Sequence, residues 1–262
     1  MQDNKKTTPI LKVKNVSKYF GGIHALDNIS FELSTNKITA LIGPNGSGKT
    51  TLFNVITGLY KATKGSIHFK KRDITKERID KIAKMGIGRT FQNIKLFANS
   101  TVLENVMVGA YQLLDNETFI DVVFNTAEYR QLEKEILHKT EEILRFLDLY
   151  KKKETLVKSL SYGDRKRVEF ARAIVGDSKL ILLDEPVAGM VEEEKLFLLD
   201  KIKELSKKNV TILLIEHQIR FVSELASSII VLDEGKKIAE GKPVEIQENP
   251  LVIEAYLGKG AR

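Results

Sequence analysis

The 262-residue chain carries 42 Lys and Arg against 35 Asp and Glu, a formal charge of +7, with 42% apolar residues and no cysteine. That length suits one large α/β domain, or one core with a smaller subdomain. The missing cysteine excludes disulfides, thiolate catalysis and cysteine zinc sites, and it fits a reducing compartment.

No apolar run reaches the roughly 18–20 residues that cross a bilayer. Residues 1–9 are polar, lack the apolar core of a signal peptide and read as a loose cytosolic tail. The lysines are scattered, the longest run being Lys151-Lys152-Lys153, and no array of aromatics stands among them to stack bases. A solvated basic surface is expected, and nucleic acid is not an expected partner.

In chain order, short β-rich runs at Leu11–Val16, Ile29–Leu33 and Ile38–Ile42 are separated by turns at Gly21-Gly22 and Ser34–Asn36. The last of these runs leads into Gly43-Pro44-Asn45-Gly46-Ser47-Gly48-Lys49-Thr50 and then the helical stretch Thr51–Ile56. Strand, G-x-x-x-x-G-K-[ST] and helix in this order make a P-loop. Its glycines let successive N–H groups turn toward a phosphate, aided by the positive end of the helix. Lys49 is expected to reach the β- and γ-phosphates and Thr50 to ligate Mg²⁺.

A strand at Ser66–Phe69 and a polar helix at Lys76–Lys84 follow, and the pattern from about Thr101 to Leu149 is helical. The run Leu180–Leu183 is apolar throughout, so it reads as a central strand. It ends in Asp184-Glu185-Pro186, which places two carboxylates at the strand edge where ligands gather. Asp184 is expected to hold Mg²⁺ through its water shell, and Glu185 to polarise the attacking water. Further strands are expected at Val210–Ile215, Ser228–Leu232 and Lys237–Glu240, and helices near Glu192–Leu205, Ile219–Ala226 and Pro250–Leu257.

Between the helical insert and Leu180, the segment Leu160-Ser161-Tyr162-Gly163-Asp164 opens the basic helix Arg165–Ala173. A serine, a glycine and a helix N-terminus form a second anion-binding surface. This segment resembles the signature motif of the ATP-binding cassette superfamily. His217, after Leu213–Glu216, resembles its switch histidine. Gln92, in Thr90-Phe91-Gln92, resembles the glutamine that joins the Mg²⁺ sphere to a transmembrane partner. Phe20 stands where that superfamily stacks an aromatic on adenine, with burial in the core as its other reading. The order Phe20, Lys49, Gln92, Ser161, Glu185, His217 is the superfamily's order.

The resemblance spans about Leu11 to Gly258. It implies an α/β fold with a P-loop NTPase core of ABC ATPase type, an N-terminal antiparallel β subdomain and a helical subdomain. Residues 10–258 are expected to form a single ATPase domain, with 10–92 and about 177–258 as core, about 93–176 as helical subdomain and 259–262 as a tail. It further implies that Gly43–Thr51 bind ATP in one subunit while Ser161, Tyr162, Gly163 and Asp164 contact the ATP of a second cassette subunit. Glu185, His217 and Gln92 would serve catalysis, and Thr50, Gln92 and Asp184 the Mg²⁺.

Three stretches look most like LivG-type subunits of branched-chain amino acid importers: Gly86–Asn93, the Leu-Ser-Tyr-Gly-Asp signature, and Asn249-Pro250 through Glu254-Ala255-Tyr256-Leu257-Gly258. Importers of urea and other amides share much of this architecture, and cassette ATPases acting on DNA are a separate class. The importer reading implies permease subunits, a second cassette subunit that is identical or a companion, an indirect link to a substrate-binding protein, and a cytoplasmic place on the inner face of the membrane. The chain also departs from the superfamily pattern. Tyr162 replaces a glycine and Asp164 a glutamine in the signature, and Ala188-Gly189-Met190-Val191 stands where Ser-Ala-Leu-Asp is expected. Val191 thus lacks the carboxylate of the usual contact between facing sites, and Met190 reads as packing.

Overall fold

The computed structural model describes residues 8–110, 127–217 and 219–257. Most of the two terminal tails and part of the helical insert lie outside the described residues. The elements are β1 (Leu11–Phe20), β2 (Ile23–Leu33), β3 (Ile38–Ile42), α1 (Lys49–Ile56), β4 (Lys64–Phe69), β5 (Arg72–Asp73), α2 (Ile79–Lys84), β6 (Ile87–Arg89), α3 (Val102–Ala110) and α4 (Ala127–Phe146). Then come α5 (Tyr162–Ile174), β7 (Leu180–Asp184), α6 (Glu192–Lys207), β8 (Thr211–Ile215), α7 (Ile219–Leu225), β9 (Ser228–Asp233), β10 (Lys236–Gly241), α8 (Pro243–Gln247) and α9 (Pro250–Leu257).

The chain divides into two compact units, one of Met1–Ile82, Leu182–Glu185 and Leu205–Arg262, the other of Ala83–Ile181 and Pro186–Glu204. The sequence pattern puts the borders of the helical subdomain after residue 92 and after about residue 176. In the structure, the Gly86 carbonyl accepts the Lys179 and Leu180 N–H groups, so β6 groups with the helices. Most of α6 groups with them too. Long-range pairing decides the placement of β6, and composition carries no trace of it.

In the first unit, β2-β1-β4-β5 form an antiparallel sheet. Along β1, Leu11 and Val13 are buried while Lys12 and Lys14 are exposed, as period-two alternation requires of a sheet with one packed face. The central sheet runs β10-β9-β3-β8-β7, with β6 beside the opening residues of β7 in the second unit. β3 lies parallel to β8 and β9, while β10 returns antiparallel to β9. Every residue of β3, β7 and β8 is buried, which is why these strands read as unbroken apolar runs. α1 buries Leu52, Phe53, Val55 and Ile56, and each such side chain contributes about 1.5–3 kcal/mol on burial.

In the second unit, α5 starts at Ser161, whose Oγ accepts the Asp164 N–H at 3.1 Å as an N-cap. Ile136 and Leu144 on α4 are buried, so the helical spacing in this stretch marks a packed face. The sequence reading missed β5, β6 and α8, all of five residues or fewer. Segments that short leave too few positions for a period to register.

Candidate active site

The P-loop is built on the end of β3, and α1 begins at Lys49 with Gly48 at its N-cap and no side chain capping it. Gly48 has φ +101°, and a Cβ there would lie 2.6 Å from the Ala25 carbonyl, so only glycine fits. The first-turn N–H groups of α1 therefore have no side-chain cap, as an anion site requires. Asn45 and Gly46 form the exposed tip, Ser47 is buried, and Thr50 is exposed on the first turn.

The Lys49 ammonium is buried and donates to the Gly43 and Pro44 carbonyls, both at 2.8 Å. Burial lowers its pKa, and the carboxylates of Glu185 and Asp184 push in the opposite direction. The two acidic residues therefore lie in the field of the P-loop lysine. Asp184 is 1% exposed at the end of β7. Glu185 follows with φ +50°, a left-handed backbone rarely adopted by a residue with a side chain, and its N–H donates to the Ile215 carbonyl at 3.0 Å. This strained turn aims the carboxylate at His217, whose Nε2 lies 2.6 Å from Glu185 Oε1. The His217 N–H in turn donates to Glu216 Oε2 at 2.9 Å. A carboxylate held by an imidazole and close to a buried ammonium can orient water toward a phosphate bound in the loop.

Phe20 ends β1 and is 41% exposed, so it is not a core residue. Its ring meets Tyr60 edge-on at 5.3 Å, just past α1, with Lys18 Nζ 4.8 Å away. Such a ring is free to stack on a base.

In the second unit, Gln92 has an exposed side chain. Ser161 and Tyr162 are also exposed, whereas Gly163 is buried against the Glu194 carboxylate. Asp164, expected to contact nucleotide in trans, has its side chain engaged within its own chain. Its side chain is 4% exposed, and its carboxylate pairs with Lys152 and Arg167 of the same chain. A buried carboxylate needs such partners, and Lys152 and Arg167 supply them.

Tyr256 lies in the C-terminal stretch Asn249–Gly258. The main chain of Gly43 hydrogen-bonds its phenol, and burial raises the phenol's pKa. α9 thereby meets the root of the P-loop, a contact for which a lone tyrosine gives no sequence signal.

An uncapped helix start and a buried ammonium, faced by paired acidic residues and a histidine, make a nucleotide hydrolase. The serine-capped α5 places it among the ATP-binding cassette ATPases. The family described as ABC transporter matches residues 26–188, and that described as Branched-chain amino acid ATP-binding cassette transporter matches residues 236–262.

The chain belongs to the ABC transporter family, in its branch of branched-chain amino acid ATP-binding proteins. It is 40% identical to the high-affinity branched-chain amino acid transport ATP-binding protein LivG of Salmonella typhimurium, over 96% of this chain and 98% of that one. It is 37% identical to BraF of Pseudomonas aeruginosa, described in the same words, over 96% and 98%. Among solved structures, the ADP conformation of MJ1267, an ATP-binding cassette of an ABC transporter, matches with TM-score 0.83 and 36% identity, over 97% of this chain and 100% of that one. The dimeric post-hydrolysis state of the cassette MJ0796, bound to ADP and Pi, matches with TM-score 0.74 and 27% identity, over 89% and 98%. Both relatives carry amino acid transport names, which favours the importer reading over DNA-acting cassettes. The chain is thus a nucleotide-binding ATPase of the cassette type.

Proposed function

We propose that this ATPase energises import of branched-chain amino acids through membrane permease subunits. It works on the cytoplasmic face of the membrane, and a separate binding protein selects the substrate. Among the described residues no helix is long and apolar enough to cross a membrane, which fits a peripheral subunit. Two cassette subunits face head to tail, so that the P-loop of one and the Ser161 surface of the other enclose each ATP.

The Thr50 hydroxyl and the Asp184 carboxylate are hard oxygen donors without competing nitrogen or sulfur, a set that suits Mg²⁺. Bound there, Mg²⁺ would neutralise phosphate charge. Lys49 and the loop N–H groups stabilise charge on the γ-phosphate, Glu185 orients the water, and His217 holds Glu185 and senses that phosphate. Phe20 stacks on adenine, and Gln92 passes the state of the site to the permease through the segment up to Val108.

The 2.6 Å approach of His217 Nε2 to Glu185 Oε1 carries this reading. Glu185→Gln is expected to keep ATP binding and lower turnover at least about tenfold, with a closed pair accumulating. Near-normal hydrolysis by that variant would sink the role given to Glu185.

A further inference from the structure

The segment that carries Gln92 is held along one face of the signature helix. Lys166, Glu169, Arg172 and Ala173 occur on α5 at spacings of three and four residues and so share one side of it. The Lys166 ammonium donates to the Gln92 carbonyl at 3.4 Å. A Glu169 oxygen accepts the Phe91 N–H at 3.2 Å. At the two roots of the segment, a Cβ on Gly88 of β6 would strike the Ala173 carbonyl, and one on Gly109 of α3 would strike the Arg172 carbonyl. The chain entering and the chain leaving this segment therefore both lie backbone against α5.

Lys166 is 3% exposed and Glu169 2%. Burial raises the Glu169 pKa, against the pull of the Phe91 and Lys95 main chain and of the Lys166 and Arg172 cations. The main chain on both sides of Gln92, at Phe91 and at Lys95, thus acts on this one carboxylate. A buried carboxylate carries a desolvation cost that an apolar side chain of the same size avoids. Packing alone gives no reason for a charge at this place.

We propose that Glu169 is a positioning residue that clamps the Gln92 segment to the signature helix, so that a displacement at Ser161 is delivered along α5 to Gln92. The role assigned to Gln92 comes from the proposed function, whereas the clamp is a property of this chain alone.

Amide hydrogen exchange on the full chain, followed by mass spectrometry, reads the clamp without catalysis. Glu169→Leu is expected to speed exchange over Phe91–Lys95 about tenfold while Ala171–Ile174 keeps its protection. Glu169→Gln, which keeps one acceptor oxygen, should recover part of that protection. In ATP hydrolysis, Glu169→Leu should lower kcat about tenfold with KM within about twofold, because the P-loop is untouched.

Unchanged exchange over Phe91–Lys95 overturns the clamp. Faster exchange with kcat unaltered upholds the clamp and overturns the role given to Gln92. Should Glu169→Leu fail to fold, Glu169→Gln is measured against the unsubstituted chain, and unchanged exchange over Phe91–Lys95 overturns the clamp.

Discussion

The ring of Tyr162 lies over Gly189, where an added Cβ would come within 2.9 Å of Tyr162 Cε1. Both residues depart from the superfamily pattern, one in the signature and one in the segment after Pro186. The structure shows why they occur together, since the tyrosine fills the space that the glycine leaves. Gly189 also has φ +76°. Gly189→Ala is therefore expected to cost about 1–3 kcal/mol, from the strained backbone and the ring contact together. Thermal unfolding checks this, with a fall of roughly 2–4 °C per kcal/mol for a chain of this size. Adding Tyr162→Ala should recover the steric part and leave the backbone part.

Lys49 should make nucleotide affinity pH-dependent. Burial lowers its pKa in the free chain, and the charge of a bound phosphate raises it again. Binding then favours the protonated lysine. Affinity for ADP should be level below the free-chain value and decline as pH rises through it. Equilibrium titrations across the alkaline range test this, and Lys49→Met should bind weakly and show no such slope.

Asp164→Asn breaks a buried ion cluster and leaves Arg167, with a side chain 14% exposed, without its charged partner. The expected loss is about 3 kcal/mol. A smaller loss, within about 0.5 kcal/mol, would place the carboxylate's role outside the fold.

Tyr256→Phe removes the phenol oxygen from the Gly43 main chain and nothing else from the packing. One hydrogen bond contributes about 1 kcal/mol, so ADP affinity should fall about fivefold. Fluorescent-nucleotide titration reads this directly. Unchanged affinity would show that α9 packs beside the loop without supporting it.

How much of this was legible in the sequence differs from residue to residue. The P-loop could be read because strand, glycine spacing and helix are contiguous, and β3, β7 and β8 could be read because burial on both faces forces apolar runs. Glu185 and His217 could each be assigned a role from place and resemblance, but their 2.6 Å contact could not. They stand 32 residues apart and meet only because the ends of β7 and β8 are neighbours in the sheet.

The chemistry of this protein is legible in residue order: a phosphate loop, two acidic residues at a strand end, a histidine, and a serine-capped helix. Local rules of backbone geometry, helix capping and alternation suffice for that, since each acts over a few residues. That Asp164 pairs with Lys152 and Arg167, that Phe20 is exposed, that Tyr256 reaches Gly43 and that Glu169 holds the Gln92 segment emerges from the fold alone. Each of these depends on which long-range partners burial brings together, and such partners leave no mark on their sequence neighbours.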